Sequence, residues 1–118
     1  ACQARIDWIS TNPTDGIVDL KTADTLDNFE ISASTFGYMH QLAFYRALIA
    51  WVSGRVLPVH MIAVEKREPY RCGVWQIRSA VLDAAQEQNE NALRELEHCK
   101  RNDHWPTRYE ALRMIDRL

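Results

Sequence analysis

Apolar and polar positions along the chain follow two rhythms, and the change between them divides the sequence. Before Thr22 the pattern belongs to short strands. Gln3–Ile9 is rich in β-formers around one embedded acid, Asp7, and Ile17–Thr22 (IVDLKT) is a second strand. Between them Ser10–Gly16 (STNPTDG) is a dense cluster of turn formers, so the two strands are expected to form an antiparallel hairpin. Ala23–Ser34 is polar and mixed and is expected to be a loop. From Thr35 to Ser53 the spacing changes. Tyr38, Leu42, Tyr45, Leu48, Ile49 and Val52 recur at intervals of three and four, the stripe of a helix with one buried face, and Gly54 is placed to end it.

Leu57–Val64 (LPVHMIAV) is an apolar run of strand length, and Cys72–Ile77 (CGVWQI) is a fourth strand after a polar link. Ser79–Lys100 carries a narrow apolar stripe of Leu82, Ala85, Ala92, Leu93, Leu96 and Cys99, which predicts a surface helix with Ser79 as N-cap. A short helix is expected over Tyr109–Leu118. The order β-β-α-β-β-α predicts an α/β fold, with a mixed central sheet of about four strands flanked by helices. The long helix would carry the chain over to a parallel partner strand.

Composition narrows the function classes only modestly. The 118 residues are enough for a single domain, and a formal charge of −2 shows no global preference for nucleic acid, so DNA contact would have to come from a local patch. Lys66, Arg67 and Arg71 crowd one turn, a charge run that reads first as a solvated loop and otherwise as phosphate contacts for DNA. The three cysteines, Cys2, Cys72 and Cys99, form no paired motif, which speaks against a zinc site or disulfide framework and fits a reducing cytoplasm. His98, Cys99 and His104 lack the spacing of a zinc site, and His40 reads as a helix-surface histidine. No apolar run is long enough to span a bilayer.

The candidate chemistry lies in the hairpin. Residues two apart on a strand share a face, so Asp19 and Lys21 project together, and the turn can bring Asp7 beside Asp19. Adjacent carboxylates raise each other's pKa, and a divalent cation removes that cost. Magnesium takes hard oxygen ligands, often one or two carboxylates completed by water and substrate phosphate. A nearby lysine can steady the charge that develops on phosphate.

These residues also carry a resemblance. ARID, a turn, IVDLKT and then a helix bearing YMHQLAFY resemble the pattern of PDDEXK nucleases, restriction-endonuclease-like in fold. Asp7 matches the first acid, Asp19-Leu20-Lys21 matches the acid-x-lysine element, and Gln41 with Tyr45 matches the Gln-x-x-x-Tyr helix signature of the RecB and RecE branches. The stretch VEKREPYRCGVW, a polar helix and Trp105-Pro106 resemble the end of RecE-like exonuclease domains.

The resemblance implies a magnesium- or manganese-dependent exonuclease that digests duplex DNA from an end, in recombination or repair of a phage-related kind. It implies Asp7, Asp19 and the backbone carbonyl of Leu20 as metal ligands, Lys21 acting on water or phosphate, and Gln41 and Tyr45 lining the site. It is compatible with a homo-oligomer and with a single-strand annealing protein as partner. The family's further ligand, on an upstream helix, has no counterpart after Ala1. Residues 1–118 are therefore expected to be the C-terminal catalytic part of a longer chain, with the N-terminal part of the core missing. The alternatives are an endonuclease of the same fold and a non-catalytic DNA- or protein-binding module.

Overall fold

The computed structural model describes residues 1–118. Its elements run β1 (Trp8–Ile9), β2 (Ile17–Ala23), α1 (Phe29–Thr35), α2 (Tyr38–Ser53), β3 (Val59–Glu65), β4 (Cys72–Ile77) and α3 (Ser79–Asn102). They build the expected α/β architecture, a mixed sheet in the order β1-β2-β3-β4. β1 runs antiparallel to β2, β2 parallel to β3, and β3 antiparallel to β4. A parallel neighbour cannot be reached by a tight turn, so α1 and α2 carry the chain from β2 to β3.

The hairpin turn is held by its own polar side chains. The Ser10 hydroxyl accepts the Asn12 amide, and Asn12 Oδ1 accepts the Thr14 amide. Gly16 closes the turn in the left-handed region (φ 64°), where a Cβ would lie 2.1 Å from the carbonyl oxygen of Pro58. That carbonyl in turn accepts the Ile17 amide, so β2 begins against the residue that leads into β3.

Alternation along the strands gives the sheet two unlike faces. Ile17, Val59, Met61 and Ala63 point to the helix-covered side, where they pack with Phe29, Ala33, Leu42, Ala43, Leu82 and Ala85. On the opposite side Leu20 and Val74 remain exposed in register with Ile62. The helix layer is tied together by Arg46 of α2. Its buried guanidinium donates to the Ser79 hydroxyl and the Asp83 carboxylate of α3.

Several expectations are corrected. The first strand shortens to Trp8–Ile9. Ala23–Ser34 is not a plain loop: Phe29 and Ala33, four apart, bury one side of α1. The long helix begins at Tyr38 rather than Thr35, because Gly37 adopts a left-handed conformation (φ 70°) that separates it from α1. Val52, in the last turn of α2, is exposed. The N-cap of α3 is Arg78, and the Ser79 hydroxyl serves Arg46 instead. Ala92, Leu93 and Leu96 are exposed, while Leu82, Ala85 and Cys99 are buried as expected. Residues 109–118 form no helix and leave Leu112, Met114 and Ile115 exposed.

Candidate active site

The site is assembled just before β1 begins, and the cause is the short first strand. The last ladder pair is Trp8 with Val18; one step further along, Asp7 comes level with Asp19. Outside the strand, the Asp7 side chain stands in for the backbone: its Oδ2 accepts the Leu20 amide at 2.9 Å. Asp7 stays exposed, whereas Asp19 is buried on the helix-covered face of β2. Asp19 and Lys21 share that face as strand periodicity requires, and Lys21 Nζ lies 2.8 Å from Asp19 Oδ2.

Gln41 and Tyr45 of α2 complete a relay. Lys21 Nζ donates to Gln41 Oε1 at 2.7 Å, and Gln41 Nε2 donates to the Tyr45 hydroxyl at 3.0 Å. The two bonds fix each other. An ammonium can only donate, so the amide oxygen must face Lys21, which leaves the amide nitrogen for Tyr45. The Tyr38 ring, one turn earlier on α2, lies under the ammonium at 4.3 Å from ring centroid to Nζ. Of the expected residues Asp7, Asp19, Lys21, Gln41 and Tyr45, all are brought into one connected group. Of Leu20 the structure gives the amide a partner, Asp7.

Electrostatics mark Asp19 as the unusual member. Burial pushes its carboxyl above the usual range; Lys21 opposes that shift, and the neighbouring Asp7 carboxylate adds to it. The contact with Lys21 is close but poorly directed, so Asp19 Oδ2 is a buried acceptor without a hydrogen-bond donor. A buried carboxylate oxygen without a directed donor, beside a second carboxylate, is a donor set that suits a hard divalent cation. No cluster of three histidine, cysteine or acidic side chains forms; two carboxylates can hold magnesium where water or phosphate oxygens complete the shell.

The basic turn after β3 is largely engaged within the protein. Arg71 makes a two-pronged contact with Glu65 and also reaches Asp27, while Lys66 lies 3.7 Å from Asp24. Glu65 is buried at the end of β3, where its Oε2 also accepts the Leu26 amide. Its carboxyl is pulled down to about 2, mainly by Arg71 and then by Leu26. This clamp was not legible in the sequence, where Glu65 and Arg71 look like members of a solvated charge run. His40 faces α3, with Nε2 2.6 Å from Gln88 Oε1.

A family model described as a PDDEXK-like domain of unknown function (DUF3799) matches residues 1–117. The chain belongs to that family. No protein of curated function matches it. Among solved structures, the PDDEXK-like domain is similar to a protein from Eubacterium rectale titled "Putative exonuclease", with a TM-score of 0.66 at 21% identity. The match covers 92% of this chain and 46% of that one, so the PDDEXK-like domain spans about half the length of that structure. At this identity the likeness is one of fold. No helix of the domain is long and apolar enough to cross a membrane.

Proposed function

We propose that this PDDEXK-like domain is a magnesium- or manganese-dependent deoxyribonuclease that removes nucleotides from the ends of duplex DNA. The observation that carries the reading is the connected group running from Asp7 and Asp19 through Lys21 to Gln41 and Tyr45. A purely structural sheet face has no use for a buried carboxylate and an ammonium on the side turned toward the helices, where desolvation penalises each charge, with a second carboxylate at the rim.

In this reading Asp7 and Asp19 hold the cation, with the Leu20 carbonyl as a further oxygen. When bound, the ion polarises the phosphodiester and makes bound water more acidic. Lys21 sits beside Asp19 and places positive charge where a phosphate oxygen gains negative charge. Gln41 accepts one N–H of Lys21 and so limits where the others can point. Tyr45 holds the Gln41 amide in the orientation this needs. The exonuclease assignment rests on the Gln41 and Tyr45 signature and on the similarity to the Eubacterium rectale protein.

The test uses the full open reading frame carrying this chain, with linear and closed-circular duplex DNA and magnesium. Release of mononucleotides from linear DNA alone supports the proposal. Cutting of closed circles makes it an endonuclease of the same fold. Metal-independent DNA binding with no hydrolysis makes it a binding module.

A further inference from the structure

We infer that Tyr38 is a positioning residue for Lys21, holding its ammonium by the face of the aromatic ring. Lysine reaches its working position through four rotatable bonds, so an unrestrained Lys21 would spend much of its time elsewhere. The structure restrains it from three sides: Asp19 Oδ2 at 2.8 Å, Gln41 Oε1 at 2.7 Å and the Tyr38 ring centroid at 4.3 Å. Tyr38, Gln41 and Tyr45 stand at positions i, i+3 and i+7 of α2, so one helical stripe supplies both the ring and the amide relay. Tyr38 is the first residue of α2, placed there by the left-handed turn at Gly37, and its flank packs against the core. Its ring is therefore fixed independently of Lys21.

The three restraints differ in kind. Gln41 takes one N–H direction. A ring face attracts the whole charge through its quadrupole and takes none. Tyr38 can thus keep the ammonium in place while an N–H remains free to turn to an anionic oxygen. A ring at this position that merely filled space would depend on its shape and be indifferent to its quadrupole.

The catalytic consequence rests on the nuclease reading, while the restraint on Lys21 does not. In the full open reading frame, Tyr38 is replaced by Phe, by Leu and by pentafluorophenylalanine, which keeps the ring's shape and reverses its quadrupole. Two quantities are measured: kcat and KM on linear duplex DNA with magnesium, and the proton shift of the Lys21 ε-methylene. Tyr38→Phe should keep kcat within about threefold of wild type. Tyr38→Leu and the pentafluoro variant should each lower kcat about tenfold while KM moves by less than about twofold.

The upfield ring-current shift of the ε-protons should persist in Tyr38→Phe and vanish in the other two. A pentafluoro variant that matches wild type in kcat and in shift overturns the inference, as does Tyr38→Phe being as impaired as Tyr38→Leu. If the wild-type protein cuts no DNA, the nuclease reading falls and the ε-proton shift decides alone. Loss of the shift in the fluorinated protein supports the restraint, and its retention overturns it.

Discussion

Replacing Lys21 by Met tests the proposed chemistry most directly. The substitution keeps an unbranched stem and removes the ammonium, with its contacts to the Tyr38 ring, Asp19 and Gln41. If that charge acts in the transition state, kcat and kcat/KM should fall together, by about 10²–10³-fold. At about 1.4 kcal/mol per factor of ten, this corresponds to roughly 3–4 kcal/mol of lost transition-state stabilisation. Folding should also suffer. The ion-pair side chains are 15% and 5% exposed, and removing one partner of a buried pair costs up to about 3–5 kcal/mol. Turnover must therefore be normalised to the folded fraction from a thermal melt. Divalent-cation affinity should be unchanged or tighter, because an ammonium 2.8 Å from Asp19 Oδ2 repels any cation on that oxygen. Lys21→Arg should not restore turnover, since a planar guanidinium does not fit the space between Gln41 and Tyr38 as a compact ammonium does. The assay is magnesium-dependent nucleotide release from linear duplex DNA. Turnover of Lys21→Met within about threefold of wild type would refute a transition-state role and remove the strongest residue from the proposal.

Further outcomes follow from other parts of the structure. Asp19→Asn should weaken manganese binding by calorimetry and lower activity, with excess manganese restoring part of it; equal affinity would remove Asp19 as a ligand. Tyr45→Phe leaves the Gln41 amide without its fixing partner, so kcat should drop several-fold, by about 1 kcal/mol, with little change in thermal midpoint. Gly16→Ala forces a Cβ onto the Pro58 carbonyl at a left-handed position and should destabilise the fold by more than about 1 kcal/mol in urea titration. Glu65 has its folded pKa near 2 against an ordinary 4.5, so its contribution to stability is present above the ordinary value and is lost as pH falls toward 2. The acid unfolding of Glu65→Gln should accordingly be flatter across that range.

What the sequence made legible was whatever depends on a fixed period. Asp19 and Lys21 share a face because strands repeat every two residues, and Gln41 and Tyr45 share one because helices bring i and i+4 together. The hairpin was legible through the turn residues Ser10, Asn12 and Gly16, each with an assignable backbone task. Features that depend on partners distant in sequence were not. The two apolar anchors of α1, Phe29 and Ala33, sit among Ser, Thr and Asn, which hide a helix of only two turns. The Glu65–Arg71 clamp needs the Leu26 amide from the far side of the crossover. The Tyr38 ring looked like core because its flank is core, while its face is turned to a lysine on another element. The apolar residues at 109–118 follow a helical rhythm, but rhythm predicts a helix only where a surface waits to receive it.

The two-residue first strand has a practical consequence. The Leu20 amide donates to a side chain rather than to the backbone, so its protection from solvent exchange depends on Asp7 being docked. The exchange rate of this one amide is therefore a clock for the assembly of the acidic pair, readable by NMR without substrate or turnover. A cation that draws Asp7 toward Asp19 competes with the amide for the same carboxylate, and titrating the ion should change the rate at Leu20 while amides in the middle of β3 keep theirs.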